Sequence, residues 1–289
     1  MRRVIYSLYI DIPKEDLDYQ TPYSGDDIPK TERTKLEFIK YYQQLIECKQ
    51  RYANDIGVSF VMFEYDYQFK QYKEWWNNNY PQITEYNIVN FYKIYLLEQL
   101  SKEYDEILYL DFDVVPVSSN NFFEQFNLSD GIAIANNNNY AKRESSLLWN
   151  RNPESIRSPT AKYWNCFALL SNNGMDGIND VFNTGIIGAS SKHVQQMDYF
   201  NDIGNIISQM DELIEDELYP EVMRQMFGWD NETIWSFLVK KKDIPIQWLT
   251  RGWHVFYDKY NYVPPDSKLV HVINKQFKEV LEYYEENYI

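Results

Sequence analysis

The sequence predicts an α/β fold with a mixed, mostly parallel central sheet flanked by helices. Three observations carry that expectation. Short apolar runs alternate with segments of helical periodicity through the first half, as a parallel sheet with crossover helices requires. The chain has 289 residues, 44% of them hydrophobic, enough for a sizeable core. No repeat and no clear linker interrupts it, so residues 1–289 read as one domain with an irregular second half.

The elements follow in order. Residues 3–10 read as a buried first strand. The start resembles a signal peptide, but the apolar run from Val4 to Ile10 is short, contains Ser7 and ends at Asp11 without a small-residue cleavage site. The acids and prolines of 11–30 suggest an exposed loop. Residues 32–53 read as a helix, with Leu36, Ile39, Leu45 and Ile46 near one face and Thr31 as its N-cap. A strand at 58–65 and helices at 67–78 and 84–103 come next, the last with Ile88, Phe91, Tyr95 and Leu96 at helical spacing. The stretch YDEILYLDFDVVPV, 104–117, reads as the third strand. Past Pro116 the pattern loosens. Strands are expected at 131–135, 180–190, 244–249 and 268–273, and helices from Ser191 to about 218, at 231–241 and at 275–287. Residues 136–177 are polar and carry Lys142, Arg143, Arg151, Arg157 and Lys162, which form a solvated face or meet an anion.

Composition narrows the function. A net charge of −15 argues against nucleic acid as a partner, and a negatively charged substrate would need a local cation. Cys48 and Cys166 are far apart with no CxxC pair, which argues against a disulfide framework and a zinc site and suits a reducing compartment. A cytoplasmic protein is expected, in a host cytoplasm if the source is viral. No apolar run approaches the ~18 residues of a membrane span. The 26 tyrosines either stack on sugars or reflect an AT-rich genome, and the asparagine run at 136–139 favours the second explanation.

The chemistry centres on Asp111-Phe112-Asp113. In a strand, residues i and i+2 face the same way, so both carboxylates point to one side where the strand leaves the sheet. Ligands of open α/β sheets sit beyond such strand ends. Two adjacent carboxylates repel each other, and a divalent cation relieves that repulsion. Carboxylate oxygens suit Mg²⁺ or Mn²⁺, which keep positions open for phosphate oxygens. A solvated strand end is the plain alternative.

The stretch NFYKIYLLEQLSKEYDEILYLDFDVVPV, 90–117, resembles the Asp-x-Asp region of GT-A fold, Rossmann-like glycosyltransferases, closest to the retaining glycogenin and lipopolysaccharide galactosyltransferase type. Tyr92-Lys93 occupies the aromatic-basic position, followed by Asp105 and ILYLDFD. Three later segments match in order. FNTGIIGAS resembles the Asn-x-Gly segment at Asn183, Thr184 and Gly185. WDNETIWSF resembles the Asp-Gln-Asp segment at Asp230, Asn231 and Glu232. KLVHVINKQFK resembles the terminal His-x-x-Gly-x-x-Lys, with His271 matching, Asn274 in place of glycine and Phe277 in place of lysine.

The resemblance implies a metal-dependent glycosyltransferase that moves a sugar from a nucleotide-diphosphate donor, UDP favoured over GDP, to a saccharide or protein-linked acceptor with retention. Residues 1–117 would be the nucleotide-binding half and 118–289 the acceptor-binding, metal-completing half. Asp111, Asp113 and His271 would hold Mn²⁺ or Mg²⁺. Ser7, Tyr9, Ile10, Lys93, Asp111, Asn183, Gly185 and Lys275 would bind the donor, and Asp230, Asn231 and Glu232 would serve the transfer.

Each residue also has a structural reading. Lys93 sits on an amphipathic helix and would face solvent. Ser7, Tyr9 and Ile10 would end an ordinary strand. Asn183 would close a turn before Gly185. Asp230 and Glu232 would favour a helix dipole. His193 and His254 read as structural, and Trp75, Trp76, Trp229 and Trp253 as core more than sugar platforms. Two other functions fit parts of the sequence. LYLDFDVV fits a haloacid-dehalogenase-like phosphatase with Asp111 as nucleophile, but ~100 residues of α/β pattern precede a motif that normally opens such a domain. An inactive sugar-binding module is the non-enzyme alternative, against which the acids at every matching position argue.

Overall fold

The computed structural model describes residues 1–16, 30–137 and 158–288. Most of the first loop lies outside those ranges, as do Lys142, Arg143, Arg151 and Arg157.

The main sheet has six strands: β1 Arg3–Tyr9, β2 Ser59–Glu64, β3 Glu106–Leu110, β5 Ile132–Asn136, β6 Phe182–Ser190 and β7 Ile246–Trp248, in the order β2-β1-β3-β6-β5-β7. Only β6 runs against the others, so the sheet is mixed but mostly parallel. A second sheet joins β4 Val114–Pro116, β8 Val255–Phe256 and β9 Leu269–His271 in the order β4-β9-β8. Both sheets draw strands from each side of Val117.

Strand alternation sorts the core. Val4, Tyr6, Ile107, Tyr109, Ile134 and Ile187 face one side of the main sheet. Ile5, Leu108, Leu110, Ala133 and Ile186 face the other. The first side is covered by α2 Tyr67–Asn79, α3 Glu85–Leu100, α5 Ser158–Asn172, α6 Ser191–Met197, α7 Ile203–Glu215, α8 Glu221–Arg224 and α9 Asn231–Lys241. The second side carries α1 Lys30–Asp55, α4 Phe122–Gln125 and part of the small sheet. Two last helices, α10 Tyr257–Tyr260 and α11 Phe277–Asn287, follow, and α1 and α11 close over the small sheet. β3 is buried along its whole length, as a central strand covered on both faces must be.

The structure departs from the expected elements in several places. The 104–117 stretch is two strands in different sheets, because the chain turns at Asp111-Phe112-Asp113, with Val114 N donating to Asp111 O at 2.9 Å. In α1 the buried face is Leu45, Cys48, Lys49 and Tyr52, while Leu36 and Ile39 are exposed. Helix α1 begins at Lys30, so Thr31 lies inside it and is not its cap. The helix expected from Ser191 to about 218 is broken: Ser190 is the cap, and Asp198 takes a left-handed conformation that ends α6. Helix α5 stands where the sequence shows only a polar segment, because its polar opening hides the apolar face of Cys166, Leu169 and Leu170.

Candidate active site

The floor of the site is built where the two sheets meet. Asp111 leaves the end of β3, with its N–H donating to Gly185 O at 2.8 Å. Asp113 O accepts from Val272 N at 2.9 Å, and β4 pairs with β9 so that Val114 lies opposite His271. These backbone bonds set His271 Nε2 3.3 Å from Asp113 Oδ1 and 3.9 Å from Asp111 Oδ2. One ligand atom from each of Asp111, Asp113 and His271 lies within 4.8 Å of the others. Two carboxylates and an imidazole form a donor set that fits a divalent ion, and the carboxylates need positive charge between them. Phe112 points away and stacks on Tyr9, with ring centroids 4.9 Å apart and 15° between planes.

Protein cations face the same acids. Lys93 is buried on α3, and its Nζ lies 3.4 Å from Asp111 Oδ1. It does not face solvent. Tyr109 donates its hydroxyl to that same oxygen. Lys275 pairs with Asp113 Oδ2 from a left-handed backbone of φ 62°. Burial would raise the Asp113 carboxyl, but Lys275 and His271 outweigh it and hold the group well below the usual range. Lys275 therefore supplies the cation at this end of the site, and Phe277, which stands where the motif has lysine, is buried. The next lysine, Lys278, pairs with Glu282 on the surface.

Gly185 and Asn183 hold the floor from β6. A Cβ at Gly185 would sit 2.8 Å from His271 Nδ1 and closer still to its Cε1, so only glycine admits the imidazole. Asn183 Oδ1 accepts from Gly185 N at 3.1 Å, and the residue also lines the cavity.

The wall is formed by the start of α9. Asp230 is its N-cap, accepting at Oδ1 from Glu232 N and Thr233 N at 3.0 and 2.9 Å, and at Oδ2 from Thr233 Oγ1 at 2.5 Å. Glu232 Oε1 accepts from Thr184 N at 2.8 Å and Thr184 Oγ1 at 3.1 Å, and Oε2 pairs with Lys162 of α5. Burial opposes the charge on Glu232, but Lys162 and these hydrogen bonds hold the carboxyl below its ordinary range. Asn231 Nδ2 donates to Thr184 Oγ1 at 2.9 Å. Floor and wall enclose one cavity of about 580 Å³, also lined by Tyr86, Asn90 and Trp229.

The first-strand residues divide. Tyr9 lines a second cavity of about 510 Å³ with Asp11, Ile39, Tyr42, Glu64 and Tyr65, beside the ends of β1 and β2. Ser7 is fully buried with no partner for its hydroxyl among the described residues, and Ile10 packs on the core. Neither lines either cavity. Trp76 and Trp253 are core, as expected, whereas Trp75 is exposed and Trp229 reaches the site.

Three supports of the site escape a reading of the sequence. Lys49 is fully buried and donates to Phe112 O at 2.9 Å and Leu45 O at 3.1 Å, clamping the Asp111–Asp113 turn from below. Its helical spacing with Leu45 and Tyr52 is the available signal. Lys162 is marked only as one member of a basic segment. His254 is buried, with Nε2 3.0 Å from His271 Nδ1.

The sequence model of Glycosyl transferase family 8 matches residues 3–282. No curated protein matches the chain. Similar solved structures include a glycosyltransferase involved in glycosylation of the major capsid of PBCV-1, with 14% identity, TM-score 0.49, and 99% of this chain and 100% of that one covered. The galactosyltransferase LgtC with donor and acceptor sugar analogues has 11% identity, TM-score 0.47, and 98% and 94% covered. Mouse xyloside xylosyltransferase 1 has 11% identity, TM-score 0.41, and 74% and 76% covered.

Proposed function

The chain belongs to glycosyl transferase family 8, and from that premise we propose a Mn²⁺-dependent hexosyltransferase that uses a UDP-sugar and retains the anomeric configuration. Membership makes it a glycosyltransferase with a nucleotide-sugar donor and a saccharide acceptor and leaves the phosphatase reading without support, while the convergence of the acids argues against an inactive module. The observation that carries the finer reading is the convergence of Asp111, Asp113 and His271 with Lys93 and Lys275 on one cavity floor.

Asp111, Asp113 and His271 are the residues that would hold the ion. Imidazole among carboxylates favours Mn²⁺ over Mg²⁺, since nitrogen is the softer donor. The bound ion supplies positive charge to offset the charge that develops on the leaving diphosphate. Lys275 and Lys93 add charge to the same end of the donor. The nucleoside would lie toward the cavity at Tyr9, at the carboxyl ends of parallel strands. Preference for UDP over GDP rests on the resemblance of the motif set.

Transfer breaks the bond from the anomeric carbon to the diphosphate oxygen, which keeps the electron pair. An acceptor oxygen bonds to that carbon, and its proton passes to the departing diphosphate oxygen. Inversion requires a carboxylate base beside the acceptor. Both Asp230 oxygens serve the helix cap, and Glu232 is held in its low-proton-affinity form by Lys162 and Thr184. Burial raises the Asp230 carboxyl, but its cap bonds tie it to α9, and the engagement of both acids in the fold supports retention, with Asn231 and Glu232 beside the anomeric centre. Tyr86 and Trp229 in the cavity lining suit a saccharide or glycoprotein acceptor.

No helix among the described residues is long and apolar enough to cross a membrane. Two buried free cysteines suit the cytoplasm. Proton NMR of the first product formed from a UDP-sugar with Mn²⁺ tests the reading. The donor's anomeric configuration is expected; the opposite configuration rejects retention, and no turnover of any UDP-sugar rejects the donor assignment.

A further inference from the structure

Outside the residues that the family pattern places at the site, one buried contact bears on its chemistry. His254 and His271 stack in a group with Phe256: ring centroids lie 4.4 Å apart for His254–Phe256 and 5.2 Å for His254–His271. The parallel pairing of β8 with β9 sets Phe256 opposite His271 and brings His254 beside it. His254 Nε2 meets His271 Nδ1 at 3.0 Å, while His271 Nε2 faces Asp113 and Asp111.

A neutral imidazole carries one proton. For His271 Nε2 to present a lone pair to an ion between the carboxylates, the proton must sit on Nδ1. His254 Nε2 is the group positioned to receive it. His254 Nδ1 then carries its own ring's proton, and that atom is buried with no partner among the described residues. The reverse arrangement has His254 Nε2–H donate to His271 Nδ1. It places the His271 proton on Nε2, toward Asp113, where it blocks coordination. One hydrogen bond therefore separates a coordinating His271 from a non-coordinating one.

We propose that His254 is a positioning residue for the metal ligand, accepting the Nδ1 proton of His271 in a hydrogen bond so that Nε2 is free to bind the ion. The inference rests on the metal site proposed above. Outer partners of this kind typically set metal affinity by ~10–100-fold. Calorimetric titration of Mn²⁺ into the nucleotide-free protein tests it with two variants. His254→Phe keeps a ring but removes the acceptor and should weaken Mn²⁺ at least ~10-fold. His254→Gln keeps an acceptor and should recover most of that loss. Equal Mn²⁺ affinity in wild type and His254→Phe overturns the inference alone, as does a His254→Gln variant no better than His254→Phe, which would mean ring packing is the role. Wild type that binds no Mn²⁺ overturns the metal site and the inference together. Should His254→Phe fail to fold, ring ¹⁵N shifts of the wild-type protein with Mg²⁺ give the same decision: His271 protonated at Nδ1 supports the role, and protonation at Nε2 rejects it.

Discussion

The acids of the floor and the acids of the wall differ in what holds them. Asp111 and Asp113 face cations that could be exchanged for a ligand: Lys93 at 3.4 Å, and Lys275 at the end of a flexible side chain. Asp230 and Glu232 are bound into the fold, one as the cap of α9 and the other between Thr184 and Lys162. The sheet junction balances its carboxylates largely with side-chain cations that a ligand can replace, and the helix start ties them to hydrogen bonds of the fold. Substitution on the floor should therefore cost binding more than it costs the fold. Substitution on the wall should cost both.

The largest effect is expected from Asp113→Asn. It removes a ligand group and should weaken Mn²⁺ by more than the ~10–100-fold that loss of an outer partner costs. Asp111→Asn should do the same, and EDTA should abolish nucleotide binding by wild type. Stability of the metal-free protein should fall by about 1–2 kcal/mol, because the pairing of buried Asp113 with Lys275 and His271 is lost and only partly offset by relief of its repulsion with Asp111. Calorimetry and thermal melting check the two halves; a melting temperature that collapses with metal affinity breaks the contrast.

Glu232→Gln should act differently. It leaves Lys162 without its counter-charge and weakens two bonds to Thr184, costing about 1–3 kcal/mol at neutral pH together with activity. The sign with pH follows from the depressed carboxyl. Its contribution is present above the unfolded value of about 4.3 and is lost as pH falls through the lower folded value. The stability gap between wild type and variant should close on acidification, as denaturant melts at neutral and acid pH would show. A gap that widens instead would rule out a charge-based role.

Gly185→Ala sharpens the boundary, since Gly185 belongs to the fold but touches a floor ligand. The added Cβ meets His271, so overpacking of about 1–3 kcal/mol is expected with a loss of Mn²⁺ affinity. Unchanged metal binding would show that His271 can move without consequence.

The same contrast explains what is legible in the sequence. Asp111, Asp113, Lys93 and His271 stand in short motifs whose chemistry is local, so their meeting can be foreseen. The turn that joins them cannot, because EILYL and VVP look continuous and only the pairing of β4 with β9 divides them. Ser7 and Ile10 point to the nucleotide because they stand at the end of the first strand, but strand direction alone does not say which side chains reach the surface. Lys49, Lys162 and His254 act through partners 63, 70 and 17 residues away, separations that no local pattern records.

Lys275 should give the smallest effect and the one with opposite signs. In the metal-free protein its ammonium partly neutralises Asp113, so an incoming ion must displace it. Lys275→Met removes that competitor for the buried Asp113 carboxylate, so Mn²⁺ affinity without nucleotide should rise. With Mn²⁺ present, UDP affinity should fall about tenfold, because a charged donor to the diphosphate is lost. Lys275 also holds its position at φ 62°, a conformation that costs a non-glycine residue ~1–2 kcal/mol. Lys275→Gly relieves that strain while removing the same charge, so it should match Lys275→Met in both affinities yet melt no lower. Calorimetry of Mn²⁺ alone and of UDP with Mn²⁺ reads the two signs. If both affinities fall in Lys275→Met, Lys275 supports the metal site instead of competing for it, and the floor is as structurally committed as the wall.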